Sequence, residues 1–142
     1  MPTIQSLLAP EVVELPPQDG AEAAELLEDL SVYGFEVEPF GKGSFRINGV
    51  ISTLAQRDVA GAFREAISAM KGTAPGMSRE ERILATIACH SAVKLGDRLS
   101  YEEMKAFIKK WLTSRYPATC PHGRSICYRI DHKDIARRLG RH

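Results

Sequence analysis

The chain has 142 residues, 44% of them hydrophobic and 26% charged, a mixture that suits an ordinary folded domain or two small lobes. Nineteen Lys and Arg against 18 Asp and Glu leave a formal charge of +1, so no global field drives the chain onto nucleic acid or an acidic membrane, and any DNA contact must be local. Three cysteines without a signal-peptide pattern argue against a disulfide scaffold, and no apolar run reaches membrane-spanning length; the expected location is cytoplasmic.

Residues 5–15 read as an extended segment with Leu7, Leu8, Val12, Val13 and Leu15 apolar, closed by Pro16-Pro17. A helix is predicted to start near Asp19 and run through Leu30, with Ala23, Leu26, Leu27 and Leu30 on one face, until Gly34 stops it. Phe35–Phe40 and Ser44–Ile47 alternate around Gly41-Lys42-Gly43, the pattern of a half-buried hairpin. A second amphipathic helix is predicted from about Arg57 to Lys71, followed by a break at Gly72-Thr73-Ala74-Pro75-Gly76. Ser78-Arg79-Glu80-Glu81 offers a reciprocal cap to the apolar run that carries Cys89, and Ser100-Tyr101-Glu102-Glu103 repeats the device. The second of these helices should reach about Thr113 and bury Met104, Phe107, Ile108, Trp111 and Leu112, with Lys105, Lys109 and Lys110 in water. Ser125–Ile130 alternates as a strand would, and Asp131 should cap a last helix ending near Leu139-Gly140. The sum is an α+β chain of two lobes: residues 1–76 as a small α/β lobe, and residues 77–142 as a helix-rich lobe with a short sheet.

Cys120-Pro121-His122-Gly123-Arg124 carries the chemistry. A thiol and an imidazole separated by one residue can share one tetrahedral metal shell where the backbone turns, and Pro121 and Gly123 favour a turn. Cys89, set among Ile, Ala and Val, reads by itself as a small buried hydrophobe. Taken together with Cys120 and His122 it would make a three-ligand site, still incomplete, of catalytic type. Cys127 and His132 could in principle complete a local four-ligand site, but a strand and a helix start would carry them apart.

Ala88-Cys89-His90-Ser91-Ala92-Val93-Lys94 followed by Cys120-Pro121-His122-Gly123-Arg124 closely resembles the two cysteine motifs of the C-terminal domain of the MutL mismatch-repair family. Gln5-Ser6-Leu7-Leu8-Ala9-Pro10 and Tyr33–Gly41 resemble the regulatory lobe of that domain, so the likeness spans almost the whole chain. It implies a dimerising module, and a metal-dependent endonuclease that nicks the error-containing strand in members that carry the metal motifs. Carried across by position, it implies Cys89, Cys120 and His122 as ligands for Zn2+, with Mn2+ for nicking in the intact domain. His90, Lys94 and Arg124 would contact DNA phosphates, which neutralises charge without reading sequence. Gln5, Leu7, Leu8 and Pro10 match the spacing of a segment that engages the replication sliding clamp, Gln5 as hydrogen-bonding anchor and Leu8 as apolar plug. The resemblance further implies a homodimer through the C-terminal lobe, a mismatch-recognition protein as partner in the intact system, and association with the nucleoid during repair.

Two departures stand out. The family's Asp-Gln-His-Ala-x-x-Glu-x-x-x-x-Glu helix has no counterpart in these residues, so the acidic half of the site is missing and the chain reads as part of an endonuclease. Ser125 also replaces the family's usual proline after the arginine, which loosens the turn without removing a ligand. Two other readings fit the same residues. One is a non-catalytic dimerisation and clamp-interaction module with structural zinc; the other is a small zinc-stabilised DNA-binding domain, which the balanced charge disfavours.

Overall fold

The computed structural model describes residues 3–115 and 118–141. Apolar and polar residues alternate in β2 (Phe35–Pro39) and in the first half of β3 (Ser44–Ile51), which with β1 (Ile4–Glu14) form an antiparallel sheet in the order β1-β3-β2. In the central strand β3, Phe45 and Ile47 turn inward and are essentially buried. On the opposite face the Arg46 and Asn48 side chains meet Glu38 of β2. The β1 register runs from Ser6 opposite Gly49 directly to Glu11 opposite Ile47, so Leu7, Leu8, Ala9 and Pro10 bulge away from the ladder.

Around the same core lie α1 (Pro17–Glu25), α2 (Leu27–Val32), α3 (Val59–Lys71) and α4 (Arg79–Ser91): α2 contacts β2, α3 contacts β1, and α4 packs on α3. The single helix expected from Asp19 is therefore two. It begins at Pro17, where a missing N–H costs nothing, and breaks at Leu26, whose amide bonds the Ala23 carbonyl three residues back rather than four. Gly34, at φ 87°, ends the pair as expected. Phe63 of α3 sits between Phe35 and Phe45 with ring centroids 6.3 and 5.7 Å away, tilted as aromatic pairs prefer.

The 72–76 break is a tied loop. The Arg82 guanidinium donates to the carbonyls of Ala69 (3.0 Å), Met77 (3.1 Å) and Gly72 (2.5 Å), clipping the end of α3 to the start of α4. Both reciprocal caps form: Ser78 with Glu81 on α4, and Ser100 with Glu103 on α5 (Tyr101–Leu112). Asp131 caps α6 (His132–Arg138) by accepting from the Asp134 amide at 2.9 Å.

The chain divides into two compact units, Met1–Val93 and Lys94–His142. The first holds the sheet, α1 to α4 and the whole buried core. The second holds α5, the Cys120 turn and α6, and two expectations fail there. No residue of α5 is buried: Met104, Phe107, Ile108 and Leu112, expected in a core, are 44 to 67% exposed, and Trp111 is only half-buried. Residues 125–130 form no strand, and in place of the short sheet expected in this part the described residues after α5 show one isolated bridge, between Thr119 and Ser125. Alternation alone cannot make a strand where no neighbour supplies a ladder. Among the described residues, no helix is long and apolar enough to cross a membrane.

Candidate metal centre

The Cys120 turn is built by its backbone. The Cys120 amide donates to the Arg124 carbonyl and the Gly123 amide to the Cys120 carbonyl, both at 2.8 Å. Gly123 takes φ 80°, a left-handed conformation that suits glycine. The Thr119–Ser125 bridge and a bond of 3.0 Å from the Ile126 amide to the Ala118 carbonyl close the loop below it. As a result Cys120 Sγ and a ring nitrogen of His122 lie within 4.8 Å of each other. Two donors on one tetrahedral zinc stand about 3.6 Å apart, so a small rotamer adjustment brings this pair onto one ion. Cys120 is half-buried and His122 exposed. The turn borders a cleft of 620 Å³ lined by Ser114, Arg115, Thr119, Cys120, Pro121 and Gly123. Among the described residues, Cys127 and His132 join no ligand cluster with this pair.

Cys89 stands in the first unit, half-buried in the last turn of α4. Beside it His90 is 92% enclosed, with Nε2 at 3.0 Å from Glu65 Oε2 on α3. That contact pairs the imidazole with a carboxylate, while Nδ1 is buried with no hydrogen-bond partner. An unsatisfied buried nitrogen costs on the order of 1–3 kcal/mol, so an apolar residue would be cheaper here. Ser91 is held as well, accepting from the Thr53 hydroxyl at 3.1 Å. Lys94 and Arg124 are exposed. Glu65 carried no signal in the sequence: it is one charge among several on the polar side of α3, and only the packing of α3 on α4 reveals its partner.

At the other end of the chain, Gln5 pairs with Val50 in the sheet and is exposed. Leu7 packs on the core, whereas Leu8 lies at the crest of the bulge, fully exposed, and Pro10 is exposed with it.

Residues 1–99 match the family model described as the MutL C terminal dimerisation domain. Curated relatives named DNA mismatch repair protein MutL include that of Syntrophobacter fumaroxidans, 38% identical over 96% of this chain and 21% of that protein. Those of Koribacter versatilis (35% identical) and Acidiphilium cryptum (36%) also match 96% of the chain, which covers 22% and 24% of their lengths. The chain thus spans between a fifth and a quarter of the relatives it matches.

Proposed function

The chain belongs to the MutL family, in the region of its C terminal dimerisation domain, and on that premise we propose that it serves DNA mismatch repair as the zinc-binding part of a metal-dependent strand-nicking module. Cys89, Cys120 and His122 hold the ion. The observation that carries this reading is the Cys120–His122 pair, two soft donors held together by a tight turn beside a cleft. The donor set fits zinc better than manganese, which prefers the carboxylates that these three residues lack. A bound ion would polarise a DNA phosphate and lower the pKa of an attacking water. The chain's own residues bind and orient: the turn presents Cys120 and His122, α4 presents Cys89, and the exposed cations Lys94 and Arg124 neutralise phosphates on either side. His90 was expected to share that last role; its burial against Glu65 favours a task inside the fold over contact with DNA.

In this reading residues 1–76 form the regulatory lobe and residues 77–142 the dimerisation and metal-binding lobe. The apolar face of α5 is in keeping with a homodimer through the C-terminal part. Leu8, projecting from its bulge next to Gln5, suits insertion into a pocket on the sliding clamp, and a mismatch-recognition protein would direct the whole.

Two thiols and one imidazole without carboxylates bind a metal more readily than they cut DNA. The chain alone is therefore expected to bind zinc, with strong loss in Cys120→Ser and His122→Ala, and to nick supercoiled plasmid poorly with manganese. Robust nicking by the chain alone would refute the incomplete-site reading. Unchanged zinc binding in both variants would refute the ligand assignment.

A further inference from the structure

The last turn of α4 is tied from two directions. Glu65 reaches it from α3, meeting His90 Nε2 at 3.0 Å, and Thr53, beyond the end of β3, donates to Ser91 at 3.1 Å. The two tied residues immediately follow Cys89 in sequence. The Glu65 side chain is 60% exposed and that of His90 only 10%, so the imidazole is drawn inward to meet one carboxylate through Nε2 while Nδ1 goes without a hydrogen-bond partner. An aliphatic side chain would fill this space and leave no nitrogen unsatisfied. What it could not do is fix the rotation of the turn about the helix axis, because packing contacts lack direction and a polar contact between one ring nitrogen and a carboxylate on a second helix has it.

We propose that Glu65 and His90 form a positioning pair that sets the direction in which the last turn of α4 presents the Cys89 thiol. The proposal rests on the zinc reading above. A metal ligand must be held to within about 0.5 Å of its productive place, and partners that orient a ligand without touching the ion commonly govern affinity by about 10–100-fold. Neither Glu65 nor His90 touches the ion in this scheme; they act through Cys89.

The test uses cobalt(II) in place of zinc, since each thiolate on cobalt adds an absorption band of charge-transfer character, together with zinc affinity by chelator competition. In Glu65→Ala the thiolate band should weaken and zinc affinity should fall about tenfold or more; in Glu65→Gln, whose amide oxygen can still meet Nε2, affinity should stay within about threefold. Urea unfolding of each variant reports stability separately. If Glu65→Ala lowers stability while the cobalt spectrum and zinc affinity stay at parental values, the pair is merely structural and the proposal is overturned. If Glu65→Gln is as impaired as Glu65→Ala, the directed contact is not the cause, and it is overturned again. A parental thiolate band that Cys89→Ser leaves unaltered would instead remove Cys89 from the site, refuting the zinc reading and this inference with it.

Discussion

Gly43 shows how much a single missing Cβ can matter. It takes φ 72°, its carbonyl accepts from the Leu15 amide at 2.8 Å, and a Cβ placed there would meet the Leu15 carbonyl oxygen at 2.9 Å. Gly76 has nearly the same φ, 78°, but nothing within 4 Å. Gly76→Ala is expected to cost only the left-handed backbone term, about 1–2 kcal/mol. Gly43→Ala adds backbone overlap and should cost roughly 2–4 kcal/mol. Urea midpoints of the two variants decide this; equal losses would mean the hairpin accommodates the methyl. Glu38 offers a second residue-scale test. Hydrogen bonds from Asn48 and then Arg46 hold its carboxyl below the ordinary value of 4.5. Its contribution is therefore complete above the unfolded pKa and is lost as pH falls through the lower folded value. Glu38→Gln should flatten the acid side of the stability curve, so its melting temperature drops less than the parent's between pH 7 and pH 4. An identical drop would show that other carboxylates carry the acid sensitivity.

At the scale of elements, local signals were legible and long-range ones were not. Ser78-x-x-Glu81 and Ser100-x-x-Glu103 state a helix start in four residues, and both caps form as read. The Pro121 and Gly123 turn is equally local. What the sequence could not supply was a partner: the face of α5 is apolar with helical period, yet period says nothing about what covers it, and residues 125–130 alternate with no strand beside them. The split at Leu26 also escaped, because one short-range amide bond reset a pattern that looked continuous. Arg82 is the clearest case of a tertiary role hidden in a polar position. Its three carbonyl bonds join the end of α3 to the start of α4, and bonds to a charged donor contribute on the order of 1.5–3 kcal/mol net each where they are well shielded. Because the guanidinium is only partly buried, Arg82→Ala is expected to cost roughly 2–3 kcal/mol in total. Arg82→Lys should recover less than half, since an ammonium cannot span three acceptors with a planar fork. Amide exchange across 72–76 should quicken in both variants; if it does so in neither, the loop is held by something other than Arg82.

Across the whole molecule, burial is unequally shared. Every buried residue among those described lies between Val13 and His90, in the first unit, and the second unit has none. Hydrophobic burial is the main favourable term in folding, and a small unit without a core generally depends on a disulfide, a metal or a partner surface. Residues 1–93 alone are therefore expected to unfold cooperatively in urea with a midpoint close to that of the full chain, because the Phe35, Phe45 and Phe63 cluster and the Arg82 clip stay intact. Residues 94–142 alone should show helical circular dichroism from α5 with no sigmoidal transition. Their exposed Met104, Phe107, Ile108 and Leu112 should make them associate as concentration rises. Zinc should not rescue that fragment fully, since it carries Cys120 and His122 but not Cys89, and two ligands leave a tetrahedral ion open to competitors. Calorimetry of the two fragments beside the full chain settles the division of stability. A sharp, concentration-independent transition in residues 94–142 would mean that this unit possesses a core of its own.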